Sequence, residues 1–362
     1  MIGQLVDGKY QVIRLLGEGG MGAVYEALHT GTARRVALKL ISGGAEKNPE
    51  VVSRFQREAR AAGTIDTRHI VQVYDTGTDA TLGCPFMVME MLTGEDVSGL
   101  IGRVGALSPD LALRIFAQAC VGLQKAHEAQ VIHRDIKPAN LFLASQEGGE
   151  IIVKLLDFGI AKMRVDDAGS TGGHGLTRTG SMMGSPLYMS PEQAKGLKTI
   201  DHRSDLWSLG AVLYEALTGR TPHHHVDTLG QLILAICSAA PPPLQNFAPW
   251  VPPEVAAIAH GCMRLEANDR YPSAAAMLEA TLPLLPQGYA IHASMLAPLP
   301  EPHRAYVAPR LVITSAGVPL KCSTFFIWSA VAPFAPPQVI ASATNRLVGD
   351  MARLPCSLET CL

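Results

Sequence analysis

IHRDIKPANLF, residues 132–142, sets polar side chains of very different chemistry inside an apolar frame. His133, Arg134, Asp135, Lys137 and Asn140 fall within eight positions, with Ile132 before them and Leu141 and Phe142 after. Charged groups framed in this way predict a short loop held between buried strands. An acid, a cation and an amide crowded together point to a reaction site that uses all three.

The rest of the chain bounds what that reaction can be. At 362 residues it is long enough for two or three domains or one large bilobal one. Thirty basic residues against thirty-two acidic leave a formal charge of −2, which argues against a general nucleic-acid binder with a basic face. Apolar residues make up 48%, so a sizeable core can be buried, and charged residues make up 17% against a usual ~25%. The cysteines, at positions 84, 120, 237, 262, 322, 356 and 361, form no CxxC pair, which disfavours a zinc knuckle or a redox motif. Reduced thiols in a cytoplasmic protein are the simplest reading. The opening MIGQLVDGKYQVIRLL lacks a basic region followed by a long apolar run, so it does not read as a signal peptide.

The N-terminal third reads as strands. YQVIRLLGEGGMGAVYEALH alternates around a glycine cluster, RRVALKLI is a second β-rich run, and PFMVMEML is a third. A helix is expected between them, with Asn48 as its cap, Pro49 in its first turn and Glu50 at its positive end. From Ser108 onward helical patterns dominate, beginning at a Ser-Pro-Asp cap. The fold class is therefore α+β: a small β-rich lobe with one helix, a larger helical lobe, and a cleft between them for a ligand.

Gly17, Gly19 and Gly22 make G-x-G-x-x-G, with Gly20 in addition. The motif alone does not separate a dinucleotide fold from a nucleotide-binding hairpin. Val24 and Tyr25 favour a following strand, and the position about twenty residues on, where a dinucleotide fold wants an acid, falls at a lysine. Residues without side chains let backbone N–H groups approach phosphate oxygens closely. That lysine, Lys39, sits in an apolar strand. In the following helix Val51, Phe55, Glu58 and Ala62 share one face, so Glu58 lies on the apolar stripe. A buried carboxylate there asks for a cation, and Lys39 is the candidate.

The remaining motifs arrive in order: HRDIKPAN at 133–140, IIVKLLDFG at 151–159, SPLYMSPE at 185–192 and SDLWSLGAVLYEALTG at 204–219. With the glycine loop and V-A-L-K, they resemble the protein-kinase signature set, closest to the eukaryotic-type (Hanks-type) serine/threonine kinases of bacteria. The resemblance covers about residues 8–283. It implies a small lobe over about 8–92 and a large lobe over about 93–283, then a Pro/Ala-rich linker over 284–321 and an apolar tail over 322–362.

Roles then follow by matching position. Phosphoryl transfer needs positioning, charge neutralisation and an in-line hydroxyl. The resemblance assigns ATP to Leu16, Gly17, Glu18, Gly19, Gly20, Met21, Gly22, Val24, Ala37, Lys39 and the hinge run Met89, Glu90, Met91 and Leu92. Met89 matches the residue at the back of the adenine pocket. Lys39 would hold the α- and β-phosphates while Glu58 holds Lys39. Asp135 would accept or orient the substrate hydroxyl proton, and Lys137 would reach the γ-phosphate. Asn140 and Asp157 would bind Mg2+, with Mn2+ as an alternative, a hard cation that prefers oxygen. His133 and Phe158 read as packing residues. Lys137, and Ser185 in place of the usual threonine that bonds the catalytic aspartate, imply Ser/Thr specificity.

By the same resemblance Asp205 would hold the catalytic loop through backbone N–H groups, and Glu192 and Arg270 would form a buried ion pair. The histidines of TPHHH, 221–225, read as solvated or packed against the neighbouring helix. Arg134 stands beside a long Gly-rich segment. A phosphate on Thr177, Thr179 or Ser181 would pair with it and order that segment, Thr179 being favoured. Autophosphorylation in trans implies a transient homodimer. The apolar run FFIWSAVAPF near the C-terminus is cut by Pro333, Pro336 and Pro337 and leaves far fewer than the ~20 residues of a membrane span, so a tethered form is the lesser reading. The expected function is transfer of the ATP γ-phosphate to Ser/Thr hydroxyls of protein substrates in signalling. The alternative is an inactive nucleotide-binding pseudokinase, which the presence of Lys39, Asp135 and Asp157 disfavours.

Overall fold

The structure, a computed structural model, describes residues 1–19, 22–41, 49–158, 186–197 and 199–308, with some side chains of the first helix left out. Gly20, Met21, Asn48, Thr177, Thr179, Ser181, Ser185 and the apolar tail lie outside the described residues. The side chain of Glu58 does too, although its backbone lies within a helix.

The N-terminal part is a six-stranded antiparallel sheet in the order β1-β2-β3-β4-β6-β5. Its strands are β1 (Leu5–Val6), β2 (Tyr10–Gly19), β3 (Gly22–His29), β4 (Arg34–Ile41), β5 (Val73–Thr78) and β6 (Pro85–Glu90). Helix α1 (Pro49–Gly63) starts at the proline expected in its first turn. Side chains alternate across a strand, so β4 serves two cores. Val36, Leu38 and Leu40 pack outward with Tyr10, Val12, Phe86 and Val88. Ala37 and Ile41 pack inward with Met87, Met89 and the α1 residues Phe55 and Ala59. Lys39 shares the parity of Ala37 and Ile41, which puts it on the inner face.

The loop after α1 is fixed to the second half of the molecule. Val71 N–H donates to the carbonyl of Leu155 at 3.0 Å, Leu155 N–H donates to His69 at 2.8 Å, and Ile70 bridges Leu155 in parallel. That partner strand belongs to a second sheet, ordered β10-β9-β8-β7. It comprises β7 (Gly94–Asp96), β8 (Leu141–Ser145), β9 (Glu150–Leu155) and β10 (Ile291–His292). Around it lie α2 (Val97–Val104), α3 (Pro109–Glu128), α4 (Pro191–Ala194), α5 (Arg203–Thr218), α6 (Leu229–Ser238), α7 (Pro253–Cys262), α8 (Ala274–Thr281) and α9 (Glu301–Arg304). Ser108 caps α3 as expected, accepting from Leu111 N–H at 3.2 Å, with Pro109 in the first turn.

Helix α5 is the axis of the large core, with fourteen of its sixteen residues buried. At Gly210 it approaches α7 so closely that a Cβ would stand 2.4 Å from that of Cys262. His260 of α7 is buried, and its Nε2 accepts from Leu244 N–H at 3.0 Å. Burial, with the nearby Arg264 charge, pushes its pKa down to about 4. Protonation would destroy that acceptor. The folded pKa lies below the unfolded one, so the contribution to stability is complete above about 6.5. It is lost as pH falls toward about 4. Wild-type stability, followed by urea unfolding, should therefore drop across that window by up to about 1.4 kcal/mol per pH unit from this group. His260→Gln should remove that component of the slope.

Two expectations need correction. The 132–142 stretch does not lie between strands: it runs from α3 through an irregular segment and a single 3-10 turn at Pro138–Asn140 into β8. Pro138 at the head of that turn supplies the break between helix and strand. Residues 284–308, expected as linker, are packed: β10 pairs with β9, and Leu285, Ile291, Leu299 and Ala308 are buried. Among the described residues no helix is long and apolar enough to cross a membrane.

Candidate active site

The site is built where β4, the loop after α3 and the end of β9 meet. Lys39 Nζ lies 2.6 Å from Asp157 Oδ1, joining the inner face of the first sheet to the residue just past β9. Burial pushes the Asp157 carboxyl up, but the adjacent Lys39 ammonium more than offsets this and holds it below the usual carboxylate range. Asp157 sits at φ 49° and Arg134 at φ 65°, left-handed conformations that non-glycine residues seldom adopt and that cluster at functional sites.

The 132–142 loop is held from beneath by Asp205, which is fully buried at the start of α5. Its carboxylate accepts from His133 N–H at 2.9 Å, from Arg134 N–H at 2.7 Å and from His127 Nε2 at 2.8 Å. These are the backbone bonds expected of Asp205, and they fix the strained Arg134. His133 is buried, and burial lowers its pKa, so the ring is neutral. Its Nε2 is 2.8 Å from the Leu156 carbonyl, which can only accept, so Nε2 carries the proton. Nδ1 then accepts from Asp135 N–H at 3.3 Å, and the ring packs on Phe158 at 4.7 Å between centroids. Both residues serve packing and orientation.

Above that support the reactive groups converge. Lys137 Nζ is 3.1 Å from Asp135 Oδ2. Asn140 Nδ2 donates to the Asp135 carbonyl at 2.8 Å and to Asp135 Oδ2 at 3.1 Å. With its amide nitrogen thus engaged, Asn140 has its carbonyl oxygen as remaining donor atom. Leu156 N–H donates to the main-chain carbonyl of Asn140 at 2.9 Å, which ties this loop to the residue before Asp157. A carboxylate and an amide oxygen form a donor set suited to a hard divalent cation.

Val24, Ala37, Met89, Met91 and Leu92 gather in the inner-face cluster, as a flat apolar ligand would require. Leu156 belongs to the same cluster and was not foreseen, although its place immediately before Asp157 was the available signal. Gly17, Glu18 and Gly19 end β2, and Gly22 opens β3 opposite Gly19, so the glycine motif spans a hairpin, strand to strand. A Cβ at Gly22 would fall 1.9 Å from the Leu40 carbonyl oxygen. Leu16 is exposed on β2. Glu90 ends β6, and its carboxylate accepts from Lys154 Nζ at 2.7 Å and Gln72 N–H at 2.8 Å. Nothing in the sequence singled out Lys154.

The brace of the large lobe is present as expected. Arg270 meets Glu192 through two parallel bonds of 2.7 and 2.8 Å. It also donates to the carbonyls of Arg264, Arg203 and Leu265 and lies over the Trp207 ring, so its five N–H groups are all used. Ser190 and Gln193 form a capping box for α4, and Gln193 Nε2 donates to the Arg134 carbonyl at 3.0 Å. Arg134 Nε is buried and meets no acceptor among the described residues. In TPHHH, His223 is buried and His224 packs edge-on to Phe247.

Two sheets joined by a lysine–aspartate pair, Lys39 to Asp157, beside a His-Arg-Asp loop have the arrangement of a protein kinase. A model of the protein kinase domain matches residues 10–281, and the chain belongs to that family. The relatives it resembles include serine/threonine-protein kinases of bacteria. Serine/threonine-protein kinase Pkn1 of Myxococcus xanthus is 38% identical over 307 residues, covering 83% of this chain and 42% of Pkn1. Serine/threonine-protein kinase PknB of Mycolicibacterium smegmatis is 35% identical over 276 residues, covering 76% and 42%. The chain thus spans about two fifths of the length of these curated relatives. The crystal structure of the Mycobacterium tuberculosis PknI kinase domain superposes with a TM-score of 0.58 at 27% identity, covering 78% of this chain and 98% of that one.

Proposed function

We propose that this chain transfers the γ-phosphate of ATP to serine or threonine hydroxyls of proteins. The observation that carries the reading is the convergence of Lys39, Asp135, Lys137, Asn140 and Asp157 through bonds of 2.6 to 3.1 Å. In this reading Lys39 orients the α- and β-phosphates and leaves its contact with Asp157 when nucleotide enters. Glu58 fixes Lys39, and the glycine hairpin from Leu16 to Gly22 covers the phosphates. Val24, Ala37 and Met89 through Leu92 enclose the adenine. Asp135 orients the acceptor hydroxyl and takes its proton as the oxygen–phosphorus bond forms and the bond to the ADP oxygen breaks. Lys137 balances charge on the transferred group, and Ser185 helps place the acceptor. Asn140 and Asp157 would hold a divalent cation, which when bound neutralises phosphate charge. The catalytic unit is read as about residues 8–283.

Arg134 supports a regulatory step as well. Its guanidinium, whose Nε is unmatched among the described residues, would pair with a phosphate on Thr177, Thr179 or Ser181. The test is incubation of the whole chain with radiolabelled Mg-ATP and a generic protein acceptor, with Asp135→Asn as control. Label on Ser or Thr of the acceptor, absent in the control, is expected. Nucleotide binding without any transfer would replace this reading with a pseudokinase. Mass spectrometry of the same sample should find phosphate on at least one of the three loop hydroxyls. Finding none rejects the autophosphorylation step alone.

A further inference from the structure

The segment after α8 falls beyond the part of the chain that the kinase family model matches, which ends at residue 281. It nevertheless completes the second sheet. On α3, Asp110, Arg114 and Gln118 follow one another at four-residue spacing, the polar face of a helix that would ordinarily meet water. Arg114 and Gln118 are instead buried, at 5% and 4% exposure. Arg114 pairs with Asp110 at 2.8 Å, and both Arg114 and Gln118 also bond backbone carbonyls of the later segment. Arg114 Nη1 donates to Ala290 at 2.7 Å, and Gln118 Nε2 donates to Tyr289 at 3.0 Å. The other end of the Gln118 amide accepts from Val153 N–H of β9 at 2.8 Å, so one side chain binds helix, strand and segment together.

The next two residues form β10, with Ile291 opposite Ile151 and His292 opposite Glu150, and Ile291 fully buried. Farther on, Arg103 of α2 reaches the Leu296 carbonyl at 3.4 Å while pairing with Glu95 of β7. The segment therefore grips the sheet at both edges: β9 directly and β7 through Arg103. The other three strands of that sheet adjoin the site. β7 follows the hinge, β8 follows Asn140, and β9 carries Lys154, which bonds Glu90 of the hinge, and leads into Asp157.

We propose that residues 285–308 are a positioning strap for the nucleotide site, a role that rests on the kinase reading above. Strap engagement sets where β9 presents Lys154 to Glu90 of the hinge and where the residues just past it carry Asp157 to Lys39. The strap touches neither nucleotide nor acceptor, so loosening it acts on nucleotide affinity before it acts on the chemical step.

The test uses the whole chain with Ile291→Asp, which puts a charge into the buried pair with Ile151. The expected result is a roughly 2- to 30-fold rise in KM for ATP and in the Kd of a fluorescent ATP analogue with Mg2+, a range typical of coupling between sites not in contact. Turnover at saturating ATP should stay within about two-fold. Amide exchange over residues 150–155 should speed up. Arg114→Met, which removes one bond to the strap and keeps the apolar anchor, should shift affinity and exchange the same way by less, and it decides the matter if Ile291→Asp does not fold. Folded variants with wild-type affinity would overturn the proposal. Wild-type protein that binds no nucleotide would instead overturn the kinase reading.

Discussion

Asp157→Asn is expected to reduce phosphate transfer by about 10²- to 10³-fold, the scale seen when one preorganised electrostatic group is removed from a reaction centre. Asparagine is the informative replacement. The residue sits at φ 49°, where asparagine is among the few side chains tolerated, so the backbone keeps its course. Shape is nearly conserved, while the charge and one of the two acceptor oxygens are lost. Lys39 would then face an amide where it now meets a carboxylate at 2.6 Å. Stability should change little, because the pair is partly exposed, with 45% of the Asp157 side chain accessible. A folded Asp157→Asn protein, checked by circular dichroism, that retained a tenth or more of wild-type turnover would remove this carboxylate from the proposed mechanism. The wild-type pH profile offers a second check. The folded-state carboxyl is depressed, so the pair's contribution is present above the ordinary carboxylate range and is lost only as pH falls through the depressed value. Activity lost between pH 6 and 5 must then come from other groups.

Asp205→Ala is expected to cost both stability and activity. The carboxylate is fully buried, and it holds the amides of His133 and Arg134 and the His127 ring. Removal strands two backbone N–H donors at about 1–3 kcal/mol each, about 2–6 kcal/mol in all. It also releases Arg134 from φ 65°, so the Asp135 side chain loses its fixed origin. Urea unfolding should show the lower midpoint, and the fraction that remains folded should turn over more slowly than wild type. Asp205→Asn keeps one carbonyl oxygen and should fall between. A wild-type midpoint for Asp205→Ala would show that the loop holds its shape without this anchor. Burial raises the Asp205 carboxyl and the His127 bond and charge outweigh it, leaving the pKa depressed. Its stabilisation is thus complete at neutral pH and is lost only on strong acidification.

Much of this arrangement could be read from residues alone, wherever a side chain does the work. Val24 and Tyr25 marked a hairpin after the glycines, and β3 is there. The stripe on α1 placed Phe55 and Ala62 in the core, and both are buried. Glu192 and Arg270, 78 positions apart, are assigned to an ion pair by the family resemblance, and they meet through two bonds. What escaped reading is what the backbone does. The strap contributes the carbonyls of Tyr289 and Ala290, groups that every residue carries, and its strand is two residues long. Proline and alanine around it gave the composition of a linker. The left-handed Arg134 and Asp157 carry no compositional mark either, since their conformation is imposed by Asp205 and by the turn after β9. Lys154 looked like any lysine in a strand, and only the register of β9 brings it to Glu90.

The backbone bonds between the loop after α1 and Leu155 have a mechanical consequence. One end of α1 is pinned to the large lobe while the rest packs beneath the small-lobe sheet. Any motion that parted the two sheets would have to break these bonds or turn about them, which makes the neighbourhood of Ile70 the natural pivot.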